Sequence, residues 1–149
     1  MLSIEPAGPG AMAELADDIC AADMAEMTAA GLSVQEGLAD VECQALRLDG
    51  RLVCLFGLTV NVKRDGPDGP GVPWMLCTNA ISLVPRRWMA LTARAIVSDW
   101  QASRAMLINM VHRRNARAVR FIEWLEFEVD RRPAGPDGEF WVFQWRRNV

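Results

Sequence analysis

Asn115-Ala116-Arg117-Ala118-Val119-Arg120-Phe121-Ile122-Glu123-Trp124-Leu125-Glu126-Phe127 is the stretch that decides how this chain is read. An Asn ahead of an amphipathic run marks a helix start, because its side-chain oxygen accepts from an orphaned N–H of the first turn. Ala118, Phe121, Ile122 and Leu125 then fall on one face, while Arg117, Arg120 and Glu123 fall on the other. Upstream lies Met106-Leu107-Ile108-Asn109-Met110-Val111, the apolar body of a strand predicted over Ala105 to Val111. Downstream, Glu139 to Trp145 is predicted as a closing strand around Phe140-Trp141-Val142-Phe143, after an Arg131–Gly138 loop. Strand, Asn-capped helix and aromatic strand form the core of the reading.

Working back, Pro85 suits the first turn of a helix whose broad stripe carries Trp88, Met89, Thr92, Ala95, Ile96 and Trp100. Val72 to Ile81 reads as a strand, and Asp65-Gly66-Pro67-Asp68-Gly69-Pro70-Gly71 as an exposed loop. Asp49-Gly50 is a favoured two-residue turn between strands at Gln44–Leu48 and Leu52–Leu58. The second of these is apolar on both sides, which predicts a central, covered strand. Ser33-Val34-Gln35-Glu36 is a capping box for a short helix reaching Leu38. Ala11 to Ala30 has helical spacing whose apolar phase drifts, so it is one bent helix or two, stopped by Gly31. Leu2–Pro6 suits an edge strand. The predicted order is strand, helices, three strands, helix, strand, helix, strand, strand: a mixed α/β sheet in a single domain over 1–149.

Bulk properties narrow the class. With 149 residues, 51% hydrophobic and 23% charged, the chain is long enough for a proper core and is not of disordered composition. No apolar run reaches the ~18–20 residues of a membrane span, and Met1–Pro6 has no basic and apolar leader pattern, so neither membrane nor secretory leader is expected. Cys20, Cys43, Cys54 and Cys77 form no CxxC pair, and one His cannot complete a common zinc set, so no metal is expected. Charge is uneven: 4 basic and 12 acidic side chains over 1–84, then 12 basic and 7 acidic over 85–149. The basic half suits phosphate or an acidic partner. At pI 5.2, nucleic acid is not the expected one.

The element order and the Asn115 helix resemble the GNAT (Gcn5-related N-acetyltransferase) superfamily. Its late helix often reads N-x-x-A-x-x-x-Y-x-x-x-G-F, and Asn115, Ala118 and Phe127 stand at those spacings. The resemblance implies an acyl-CoA N-acyltransferase fold, with a mostly antiparallel central sheet of about seven strands and helices on both faces. It implies acetyl-CoA as cofactor, inserted between splayed strands lined by the late helix, with Asn115 and Ala118 on its side. Ser82, Val84, Arg86 and Arg87 occupy the loop that receives the pyrophosphate in that family. Within the superfamily, the chain looks most like small GNAT-like proteins of short-tailed phages, including internal virion and core-assembly proteins. Ala29-Ala30-Gly31-Leu32, the strand Val72–Thr78, Arg120-Phe121-Ile122 and the Asp137-Gly138-x-Phe140 ending carry that likeness.

Two departures bear on chemistry. Active members place a [QR]-x-x-G-x-[GA] loop before the pyrophosphate helix, where glycines let backbone N–H groups close on phosphate. Here Ser82-Leu83-Val84-Pro85-Arg86-Arg87-Trp88 has no glycine, and Pro85 removes a donor. Arg86 and Arg87 would hold phosphate by charge instead. The family's general acid is a Tyr at the position of Ile122, and this chain contains no Tyr. An aliphatic side chain cannot protonate a departing thiolate. Glu126 also replaces the Gly before Phe127. His112, Cys77, Thr78, Glu36 and Glu42 are weaker candidates, and none is assigned a catalytic role. The expected function is protein–protein contact in virion assembly, with a phage structural or host protein, or a second copy, as partner. The expected location is the host cytoplasm and then the virion. The alternative is an acetyl-CoA-dependent N-acetyltransferase acting on a small amine or host protein.

Overall fold

The computed structural model describes residues 1–38 and 41–148. It contains a seven-stranded mixed sheet with helices, in the hydrogen-bonded order β1-β2-β3-β4-β5-β7-β6. The strands are β1 Leu2–Pro6, β2 Gln44–Leu48, β3 Arg51–Val60, β4 Gly71–Cys77, β5 Met106–His112, β6 Glu128–Ala134 and β7 Phe140–Arg146. The helices are α1 Ala11–Asp18, α2 Ala21–Ala29, α3 Val34–Leu38, α4 Val62–Asp65, α5 Arg86–Ser103 and α6 Ala116–Trp124. No helix among the described residues is long and apolar enough to cross a membrane. The chain forms two compact units, one of Met1–Gly57 with Trp74–Arg86 and one of Leu58–Pro73 with Arg87–Val149.

In the first unit, β1, β2 and β3 run antiparallel, with Leu2 opposite Leu48 and Leu46 opposite Cys54. Asp49 and Gly50 make the β2–β3 turn with φ of 49° and 85°, as a two-residue hairpin of right-handed twist requires. Leu52 to Gly57 are all buried, which is the covered central strand that the two-sided apolar pattern predicts. Leu15, Ala11, Val34, Leu38, Ala45, Leu52 and Leu55 form the core. The drifting pattern over 11–30 resolves as two helices. The break falls at Ile19 and Cys20, where Ile19 bridges Thr78 and the Cys20 N–H donates to the Cys77 carbonyl at 2.9 Å. Gly31, with φ 73°, ends α2, and the Ser33 hydroxyl caps α3 by accepting from the Glu36 N–H at 3.2 Å.

In the second unit, β5 pairs antiparallel with β7 along its whole length, from Met106 opposite Arg146 to His112 opposite Phe140. β4 begins here and pairs with β5 in parallel, with Gly71 opposite Leu107. A Cβ at Gly71 would stand 2.8 Å from Leu58 Cδ1 and 3.0 Å from Leu107 Cδ2, so a side chain here would push the tips of those two leucines aside. The core gathers Val97, Leu107, Val111, Val119, Phe127 and Phe143, with Phe127 and Phe143 edge to face at 5.2 Å.

Four sequence-based boundaries are corrected. The strand expected over Val72–Ile81 is Gly71–Cys77, because the buried Thr78 caps a 3-10 helix over Asn79–Leu83. The loop expected from Asp65 is preceded by the short helix α4, capped by Asn61 accepting from the Arg64 N–H at 3.0 Å. On α5 the buried residue is Val97, and Ala95, placed on the apolar stripe, is exposed. The expected Arg131–Gly138 loop is β6 as far as Ala134. Pro133 is tolerated there because β6 lies at the sheet edge and its pairing shifts between Asp130 and Ala134.

Candidate functional site

The first unit contributes the end of β4 and the entry to α5. Thr78 is 1% exposed. Its hydroxyl donates to the Leu52 carbonyl at 2.7 Å and accepts from the Ala80 N–H at 3.2 Å, so it both ends the strand and starts the 3-10 turn. Ser82 donates to the Asn79 carbonyl at 3.0 Å, and the buried Val84 donates its N–H to the Ile81 carbonyl at 3.2 Å. The hydroxyl and N–H expected at the pyrophosphate loop are thus engaged within the loop itself. Arg86 and Arg87 open α5 on exposed positions, and neither forms an ion pair among the described residues.

A second cluster in this unit escaped the sequence reading. Asp23, in the first turn of α2, accepts from the Cys77 N–H at 2.7 Å across 54 residues. Cys20, Cys54 and Cys77 surround this bond, and all are free thiols. Burial raises the Asp23 carboxyl above the usual Asp range, opposed by the Cys77 N–H and the Cys20 thiol. The Cys54 thiol and burial push the Cys77 thiol well up, so it is held as the unreactive neutral form. An Asp in a first turn ordinarily faces solvent, and only its distant partner reveals it.

The sign of a pH effect follows. A raised carboxyl pKa means that folding tightens proton binding. Wild-type stability therefore gains as pH falls through the folded pKa of Asp23, and that gain is lost as pH rises through it. Asp23→Asn keeps an oxygen for the Cys77 N–H and lacks the titration. Its urea midpoint, measured against wild type, should hold its largest advantage at neutral pH and lose it steadily in mildly acidic buffer.

The second unit contributes α6 and the end of β5. Asn115 caps α6, its Oδ1 accepting from the Ala118 N–H at 3.3 Å, so these two predicted residues are joined by one hydrogen bond. Ala118 and Ile122 pack, partly buried, against the core around Val119. His112 ends β5 edge to face with Phe140 at 5.3 Å, and its Nδ1 accepts from the Arg114 N–H at 3.2 Å. Its Nε2 lies 3.9 Å from Glu139 Oε2. The Arg113 hydrogen bond, with the charge of Arg114 and His112, holds the Glu139 carboxyl below its usual range. Ser82, Val84 and Arg86 belong to the first unit, and Arg87, Asn115 and Ala118 to the second. No group of three or more His, Cys, Asp or Glu among the described residues is placed to hold a metal.

No protein-family model matches the sequence, and no curated protein matches it either. Solved structures do match over essentially the whole length. A Gcn5-related N-acetyltransferase from Kribbella flavida is 16% identical with a TM-score of 0.67, covering 98% of each chain. An acetyltransferase of the GNAT family from Streptococcus pneumoniae is 14% identical at 0.65, covering 99% of this chain and 100% of its own. AAC(6')-Ib in complex with ribostamycin and coenzyme A is 15% identical at 0.68, covering 98% and 93%. The chain has the GNAT fold. At such identities the likeness establishes the GNAT architecture and leaves chemistry to the residues present. On this GNAT fold the late helix α6 has Asn115 as its cap and Phe127 just beyond its end. Ile122, in the last turn of that helix, is aliphatic.

Proposed function

We propose that this chain is a GNAT-fold protein with a degenerate catalytic site that works through contacts with other proteins during assembly of a phage particle. Ile122 carries the reading. It stands at the general-acid position and packs against the Val119 core, and no Tyr exists anywhere in the chain to substitute. A positioned acid speeds departure of the thiolate in thioester aminolysis, and an aliphatic side chain cannot act as one. The glycine-free loop adds to this, since the Ser82 hydroxyl and Val84 N–H bond within the loop and Pro85 has no N–H. The phage setting, in the host cytoplasm and then in the virion, is supported by the likeness of Ala29–Leu32, Val72–Thr78 and the Asp137-Gly138-x-Phe140 ending.

A second reading, an acetyl-CoA-dependent N-acetyltransferase of a small amine or host protein, has its own support. AAC(6')-Ib holds coenzyme A, and yncA from Salmonella typhimurium holds acetyl-CoA, on the same fold. Arg86 and Arg87 offer two charges without an ion-pair partner among the described residues.

Calorimetric titration of acetyl-CoA into the protein and into an Arg86→Ala/Arg87→Ala variant separates the two. The assembly reading expects no turnover on a panel of amines and no binding that both arginines support. Tight binding lost in the double variant, together with acetylated product, would end it.

A further inference from the structure

Trp124 is 42% exposed on α6, and Leu91 is 56% exposed on α5. The indole is not loose. The Arg94 guanidinium lies 3.9 Å from its ring centre and donates to the Trp124 carbonyl at 3.0 Å, while Phe121 stacks on it at 6.3 Å and 7°. Two exposed stripes share this anchor. Arg87, Leu91 and Arg94 follow one another along α5, and Arg117, Arg120 and Trp124 along α6, both at helical spacing. Arg87, Arg117 and Arg120 form no ion pair among the described residues. A partly exposed Trp held by Arg94 and Phe121 combines the residue types that dominate contact energy with a low ordering cost.

The chemical complement of this face is on the chain itself. The second unit carries 13 basic and 9 acidic side chains, whereas the first carries 3 and 10. Arg47 and Arg51, two of those three cations, are already engaged by Glu5, Glu14 and Asp18. The first unit also exposes the apolar side chains of Met24 at 45% and Leu32 at 47%. We infer that the Arg87–Leu91–Arg94–Trp124 face docks the acidic first unit of a second copy of this chain. Unlike surfaces meet in such a contact, so it closes as a dimer only where it forms twice about a two-fold axis, and otherwise repeats from copy to copy. The inference rests on the protein-contact reading and names one of its partners.

Sedimentation over a wide concentration range tests it. The 16.6 kDa chain should gain mass with concentration at low salt and return to monomer at high salt, where the charges are screened. Trp124→Ala and Arg94→Glu should each weaken association about 30-fold or more, the size of a hot-spot loss. Leu91→Ser, an exposed change that spares the ring stack, should weaken it as well, so a folding defect in one variant does not decide the result. Labelled wild type should still bind unlabelled Arg94→Glu, because that variant keeps its acidic surface. A chain that stays monomeric at every concentration overturns the inference, as does association indifferent to all three substitutions. Failure of the variant to bind wild type would mean that both partners need the basic face, and overturns it too. A monomeric chain that binds an oligonucleotide or polyglutamate through Trp124 gives the face to another partner, also against the inference. None of these outcomes depends on acetyl-CoA, so failure here leaves the calorimetric test of the assembly reading intact.

Discussion

Replacing Leu107 by Ala is expected to destabilise the protein by about 2–5 kcal/mol, the usual range for emptying a fully buried Leu site. Leu107 is 0% exposed and sits in the middle of the second core, with Val97, Val111, Val119, Phe127 and Phe143 around it. Its strand is fixed on one side by the β7 ladder, where it faces Trp145, and on the other by the Gly71 pairing. Backbone held on both sides cannot collapse inward, so most of the lost side-chain volume stays as a void. Urea denaturation should show a lower midpoint with an unchanged slope, because the surface exposed on unfolding stays nearly the same. A loss below about 1 kcal/mol would mean that the strands relax to fill the space.

Thr78→Val should cost about 1–3 kcal/mol despite its matched shape. The hydroxyl donates to the Leu52 carbonyl, lies 3.2 Å from the Val53 carbonyl and accepts from the Ala80 N–H. Valine offers none of these at a position 1% exposed to water, so the groups left behind find no solvent in exchange. Thr78→Ser keeps the hydroxyl and should cost clearly less. If Val and Ser destabilise equally, packing of the methyl group sets the role of this residue, not its hydrogen bonds. The measurement is again the denaturant midpoint, with the Val–Ser difference as the readout.

Local chemistry wrote much of the architecture into the sequence. The Asp49-Gly50 turn, the two-sided apolar β3, the Ser33 cap and the Asn115 cap all act over a few residues, and each could be read directly. A mixed sheet could be anticipated because antiparallel hairpins precede a strand–helix–strand segment. What escaped were features settled by distant partners. Ile19 breaks the first helical stretch by bridging Thr78, and the half-buried Asp23 accepts from a strand 54 residues away. β6 was read as loop from Arg131 because arginines, Pro133 and Gly135 look like turn chemistry, although an edge strand accepts them. The Trp124 stack depended on Arg94 in another helix. At the candidate site, the sequence exposed the missing Tyr and missing glycines. It did not reveal that the Ser82 hydroxyl and Val84 N–H bond within their own turn.

The division of β4 has a consequence for synthesis. Gly71–Pro73 belong to the second unit and Trp74–Cys77 to the first, so neither unit is a continuous stretch of chain. During translation the first unit cannot complete itself at Gly57. It must wait for Thr78 to reach Leu52 and Val53, by which time Leu58–Pro73 have already emerged as a segment without its partners. The second unit in turn needs β7, as late as Arg146, to seat opposite β5. A ribosome carrying the chain to about the start of α5 thus holds one unit able to close and one long loop still waiting. Cutting the polypeptide between Val60 and Trp74 would leave both halves without part of their own strands, the first without Trp74–Cys77 and the second without Leu58–Val60.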